Sequence, residues 1–159
     1  ALMKGIFNPI LEEDVNYVNA LLIAKERGIK ITEKKTTKIM DFANLISVEF
    51  DTGKRKNFIM GTLFSNNEPR IIKIDKFYVE AIPAGYMLVV ENNDVPGVVG
   101  KIGTILGAHK VNIAEMSFGR DKKTGEAISL INVDSEIPKD ILKKLKSAKD
   151  INGVKQVYV

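Results

Sequence analysis

The chain has 159 residues, 45% of them apolar and 28% charged, enough for one large or two small domains with ordinary buried cores. Its 24 basic and 20 acidic residues leave a net charge of +4, too small and too dispersed to argue for nucleic acid. No apolar run reaches the roughly 18 residues that a membrane span needs, and the absence of cysteine excludes disulfides and thiolate metal sites.

Residues 1–7 are too short and too weakly charged for a secretory signal, so a cytoplasmic chain is expected. The first segment predicts a long amphipathic helix over 9–27. Asn8 can cap it, Pro9 fits its first position, and Glu12, Glu13 and Asp14 suit the positive end of the helix dipole. Ile10, Leu11, Val15, Val18, Leu21 and Leu22 recur at helical spacing, and Gly28 makes a good stop after Lys25 and Arg27. Residues 29–32 then read as a short strand and 38–45 as a second helix.

From Ile46 the period changes to two. Ile46, Val48 and Phe50 alternate with Ser47 and Glu49, and Asp51, Thr52 and Gly53 mark a turn before a partner strand over 57–64. A second hairpin pairs 70–74 with 77–81 about Asp75 and Lys76. Pro83, Ala84 and Gly85 break the pattern. The domain boundary is placed there, with one domain over 1–84 and another over 85–159.

The remainder alternates cleanly: a strand over 87–90, a helix over 96–110 and a strand over 111–118. A turn at Lys123, Thr124 and Gly125 leads to a strand over 127–133, a helix over 138–148 and a last strand over 154–159. The order β-α-β-β-α-β is the ferredoxin-like unit, an antiparallel sheet with both helices on one face. The expected fold class is α+β, an N-terminal α/β domain followed by a ferredoxin-like domain. Lys143, Lys144, Lys146 and Lys149 fall on the wet side of the last helix.

Catalytic equipment is sparse. His109 is the one histidine, so no zinc set, Cys–His pair or Ser–His–Asp triad can be assembled within the chain. No Gly-x-Gly-x-x-Gly follows a strand, which leaves dinucleotide binding unsupported. No catalytic residue and no metal ligand is assigned.

One constellation carries chemistry. Asn92, Asn93 and Asp94 end a strand, Pro96 and Gly97 turn the chain, and Val98, Val99 and Gly100 open a helix; Val111, Asn112 and Ile113 follow it. Gly97 permits close approach, and the unpaired amides of Val98 and Val99 suit a carboxylate. Asp94 adds an acceptor for an ammonium group. Together they complement an α-amino acid. The bland alternative is that Asn92, Asn93 and Asp94 only turn and cap the chain. A third reading takes Gly100-Lys101-Ile102-Gly103 as the Gly-x-x-Gly loop of a KH RNA-binding domain. That loop must be exposed between two helices, whereas Val98, Ile102, Ile105 and Leu106 continue one apolar helical stripe.

Asp94-x-Pro96-Gly97-Val98-x-Gly100-x-x-Gly103-x-x-Leu106-Gly107, then Asn112-Ile113-Ala114-x-Met116, resembles the ACT domain that ends D-3-phosphoglycerate dehydrogenases. Gly119, Arg120, Gly125, Glu126 and Ala127 continue the match. The first half resembles the same family's intervening, allosteric-substrate-binding domain, through the run from Glu13 to Ala20, the run from Ala24 to Ile29, and Gly61-Thr62-Leu63-Phe64. The resemblance implies a regulatory fragment of an NAD-dependent enzyme that oxidises 3-phosphoglycerate in serine synthesis, with the catalytic and NAD-binding portions N-terminal to Ala1. A start at Ala1 rather than Met agrees with that expectation.

By resemblance, L-serine would bind as feedback inhibitor where two ACT domains meet. Asp94 would take its ammonium or hydroxyl, Val98 and Val99 would offer backbone amides, Asn112 would reach across from the neighbouring subunit, and Asn92 would be a further contact. A homodimer or homotetramer is implied, through the ACT and intervening domains. Some family members also hold an anion on the intervening domain; Arg70 matches one of the basic residues concerned, while Ile82 and Asn132 stand where arginine can occur. A purely structural, ligand-insensitive assembly module is the alternative.

Overall fold

The computed structural model describes residues 1–12, 14–36 and 44–159. The chain divides into two compact units, Ala1–Lys38 and Ile39–Val159.

The first unit corrects the expectation of one helix over 9–27. Helix α1 (Leu2–Phe7) ends at Asn8, whose amide bonds to the Lys4 carbonyl, and helix α2 (Ala20–Glu26) begins well beyond Pro9. The interruption has a local cause. The Asn16 side-chain oxygen accepts from the amides of Val18 and Asn19 at 2.9 and 3.0 Å, while the Asn19 side-chain oxygen accepts from the Asn16 amide at 2.8 Å. Side chains thus take amides that a continuous helix would give to carbonyls four residues back, and a new helix starts after them. Gly28, at φ +71°, ends α2 as its position implies.

The core of this unit is Met3, Phe7, Val15, Ala20, Ile23 and Ala24. Ile10, Val18, Leu21 and Leu22 are exposed, although the periodicity placed them on a core stripe. Residues 29–32 form no strand. Residues 37–43, which carry most of the expected second helix, lie outside the described residues, and Asn44 and Leu45 are not helical.

The second unit opens with strands β1 (Ile46–Asp51), β2 (Lys56–Leu63), β3 (Pro69–Ile74) and β4 (Phe77–Ala81), antiparallel neighbours in the order β1-β2-β3-β4. Both predicted hairpins are present. The second turns at Asp75, which adopts φ +49°, a left-handed conformation that aspartate tolerates because its short side chain bonds locally. Here it also ties the turn to β2: the Phe58 amide donates to Asp75 Oδ1, and the Asp75 amide to the Phe58 carbonyl, each at 2.7 Å.

The C-terminal part comprises β5 (Tyr86–Asn93), α3 (Val98–Ala108), β6 (Ile113–Asp121), β7 (Glu126–Val133), α4 (Lys139–Lys146) and β8 (Ile151–Tyr158). Its sheet order, β6-β7-β5-β8 with antiparallel neighbours, is the ferredoxin-like arrangement. Helix α3 starts two residues later than the sequence predicts, because Gly97 sits at φ +91° and cannot belong to a right-handed helix.

The sheet is covered on both faces. Leu88, Val90 and Ile131 pack beneath Val98, Ile102 and Leu106 of α3 and Ile141 and Leu145 of α4. On the other face Met87, Ile128 and Leu130 meet Phe77, Val79 and Ala81 of β4. Double burial explains why β5 and β7 read as near-continuous apolar runs rather than alternating ones. Gly119 lies where β4 passes over β6. A Cβ added there would come within 2.7 Å of the Tyr78 carbonyl oxygen and 2.8 Å of Phe77 Cβ and Val79 Cγ1. Nearby, the Glu80 amide donates to Ser117 Oγ at 3.1 Å. Asn132 holds the connection from β4 to β5, donating to the carbonyls of Ile82 and Ala84 at 3.1 and 2.9 Å.

Candidate functional site

The end of β5 and the start of α3 form one cluster. After Asn93 the chain leaves the sheet, and the Asp94 amide donates to the Gly125 carbonyl at 2.8 Å, anchoring the loop to the turn between β6 and β7. Gly97 then sets the entry into α3. Lys101 is the first residue whose amide bonds to the Gly97 carbonyl, and no side chain caps the helix. The amides of Val98 and Val99 therefore face the loop without a helical acceptor, at the positive end of the helix. Val98 itself is buried and Val99 exposed.

Asp94 is already engaged. Arg120 Nε lies 2.9 Å from its Oδ1 and 2.8 Å from its Oδ2, with the Asp94 side chain 20% exposed and that of Arg120 60% exposed. Asn92 is 4% exposed and committed to the protein: its Oδ1 accepts from Ser129 Oγ at 3.2 Å and its Nδ2 donates to the Asn93 carbonyl at 2.7 Å. It stands under α3 as a buried polar pair with Ser129.

Asn112 lies elsewhere. Strands β5 and β6 are each antiparallel to β7, so they run in the same direction. Asn93 and Asp121 both align with Glu126 at one end, whereas Tyr86 and Ile113 both align with Val133 at the other. Asp94 follows the first end and Asn112 precedes the second. A single chain does not bring them together; eight strand residues at about 3.3 Å each separate their levels. Asn112 is exposed, and its Nδ2 donates to Asp134 Oδ2 at 2.8 Å.

Arg70 belongs to neither cluster. It bonds to Glu68 at 2.8 Å and to the Pro69 carbonyl at 3.1 Å, and its guanidinium stands 5.5 Å from the centre of the Phe64 ring. His109 is half-buried, with Nδ1 2.7 Å from the Ile105 carbonyl oxygen.

Beside Asp94, the turn between β6 and β7 is strongly polarised. Asp121 accepts from the Lys123 amide at 3.0 Å and from Thr124 Oγ1 at 2.9 Å, and Lys76 from the β3–β4 turn bonds to Glu126 and lies 3.4 Å from Asp121. The Lys123 amide first, then Thr124 and Lys76, hold Asp121 below the usual aspartate range. The Lys76 ammonium is the main cause that lowers Glu126, and Glu126 in turn raises Lys76. Of these groups Lys76 and Glu126 border an open cleft of about 300 Å³, lined also by Arg55, Asp75 and Glu91.

Two partners escaped sequence reasoning. Arg120 was visible only as part of a family match, and Asp134 not at all. Strand parity is the signal for Arg120: it shares a face of β6 with Met116, which packs under the helices, and it stands at the end of β6 that neighbours Asp94.

The C-terminal part is thus a ferredoxin-like domain of an α+β chain, covered on one face by two helices and on the other by a strand of a second sheet. Residues 86–150 match the ACT domain family, and residues 1–75 match the family described as D-3-phosphoglycerate dehydrogenase intervening domain. The chain is 36% identical over 158 residues to a D-3-phosphoglycerate dehydrogenase of Synechocystis sp., covering 99% of this chain and 28% of the relative. The enzyme of Bacillus subtilis is 37% identical over 158 residues, covering 99% of this chain and 30% of that protein. That of Methanocaldococcus jannaschii is 35% identical over 154 residues, covering 97% and 29% respectively. The chain thus consists of a D-3-phosphoglycerate dehydrogenase intervening domain followed by an ACT domain, and it spans less than a third of the length of the curated relatives it matches. Among the described residues no helix is long and apolar enough to cross a membrane.

Proposed function

We propose that this chain is the regulatory segment of a cytoplasmic, NAD-dependent D-3-phosphoglycerate dehydrogenase, and that it binds L-serine between two ACT domains to inhibit the enzyme. Catalysis and NAD binding belong to the remaining length of the longer protein. The functional boundary falls at 84/85, a division supported by family matches that end at 75 and resume at 86.

The observation that carries the reading is the separation of Asp94 from Asn112 along two strands that run the same way. Strand β6 is an edge strand of its sheet. Two copies joined antiparallel along that edge would set the Asp94 end of one against the Asn112 end of the other. Each junction would then hold an acid and a set of free helix amides from one chain and an amide side chain from the second. A ligand spanning the two favours the paired state by its differential affinity.

Titration calorimetry with L-serine tests this. Heat with saturation is expected for the full chain, and Asp94→Ala should abolish it. No heat at millimolar serine, with a folded dimer present, rejects the sensor. The second reading, an assembly module without ligand response, is favoured by one specific fact: Asp94 and Asn112 each already have a partner within their own chain, Arg120 and Asp134. Sedimentation with and without serine separates the readings, since only a sensor responds. Arg70 is the candidate for an additional anion contact on the intervening domain, in competition with its bond to Glu68.

A further inference from the structure

We infer that Arg120 is the carboxylate receptor of the amino-acid site, so that Asp94 and Arg120 together select a free zwitterion. This deepens the proposed serine site and rests on it. Arg120 approaches Asp94 through Nε alone, which forks to both carboxylate oxygens at 2.9 and 2.8 Å. Its Nη1 and Nη2 groups have no protein partner among the described residues, and the side chain is 60% exposed. The edge of the guanidinium that carries both Nη groups is one of its two forks for a carboxylate, and here it is open.

Placement adds to the case. Arg120 stands on the helix-side face of β6, at the end of the sheet where Asp94 leads into α3. The free amides of Val98 and Val99 open from that same loop, so two kinds of anion donor serve one end of the sheet. Asp94 retains lone pairs beyond the two that Nε uses, enough for an ammonium. The contact between Asp94 and Arg120 fixes the two charges side by side, as the ammonium and carboxylate of an α-amino acid are fixed by their shared carbon. A monocarboxylate or an amine alone satisfies half of the pair.

Calorimetry on the full chain with L-serine and with L-serinamide, which lacks the carboxylate, tests the assignment. Arg120→Gln should weaken L-serine about 10- to 100-fold, the loss expected for a charge-assisted bidentate contact. It should also sharply reduce the preference for L-serine over L-serinamide, leaving only the part that the Val98 and Val99 amides supply, which a merely structural role would not do. Arg120→Lys, with charge but no fork, should recover only part of the loss. Urea unfolding of both variants is expected to stay close to that of the parent chain, because the Arg120 side of the ion pair is open to solvent. Unchanged serine binding in Arg120→Gln overturns the assignment while leaving the sensor in place. Full recovery in Arg120→Lys overturns the bidentate fork. Absence of serine binding in the parent chain removes the sensor and this assignment together.

Discussion

Asn92 shows how a polar residue in a site sequence can serve the fold. Its bond with Ser129 lies in the interior beneath α3, where an unpaired hydroxyl is costly. Asn92→Ala should therefore destabilise the chain by about 1–3 kcal/mol in urea unfolding. An unchanged midpoint would return Asn92 to the list of ligand contacts. Lys76 offers a second test, through pH. Glu126 and Asp121 lie below their ordinary values, so their contribution is present above the usual carboxylate range and is lost as the pH falls through the lowered values. Lys76 lies above its ordinary value, so its contribution is present below the usual lysine range and is lost as the pH rises through the raised one. Stability should be flat through neutrality and decline at both extremes. Lys76→Met should remove part of the alkaline decline, since Lys56 is raised as well by Asp51 and Glu49, and part of the acid one, since the Lys123 amide and Thr124 still lower Asp121. A Lys76→Met profile parallel to the parent's would contradict this. At this scale Asp94 was legible because Pro96, Gly97 and a helix start follow it directly. Arg120 was not, because its contact spans 26 positions and depends on strand face rather than on spacing.

Among the elements, the strands were the more readable. Their ends were marked by turn chemistry: Gly53, Asp75 and Gly125 all stand at turns with positive φ. The N-terminal helix misled for a definite reason. Its apolar spacing was helical, but reciprocal Asn16–Asn19 capping reset the helix in mid-pattern, and side-chain bonding of that kind outweighs a weak propensity. The packing of β4 across β6 was invisible, since nothing in Ser117, Phe118 or Gly119 names the strand that lies over them. That contact makes a sharp prediction. Gly119→Ala should cost about 1–3 kcal/mol in thermal or urea unfolding, because the new methyl meets backbone at a distance that requires β4 to shift. Stability equal to the parent's would mean that β4 yields freely.

For the whole molecule, the decisive question is whether one site draws on two chains. Mixing supplies the test. Asp94→Ala and Asn112→Ala chains should each fail to bind serine as homodimers. Co-refolded, they should form mixed pairs alongside the two inactive homodimers, and each mixed pair, with one doubly broken and one intact junction, should bind at half the stoichiometry of a parent pair. Failure of the mixture to bind, with mixed pairs demonstrated, would assign the ligand to residues of a single chain.

The shared direction of β5 and β6 has a practical corollary. A solitary copy would own two half-receptors at its opposite poles and no whole one. Responsiveness would then thin out on dilution, and a chain tethered apart from its twin would stay silent at any concentration of the effector.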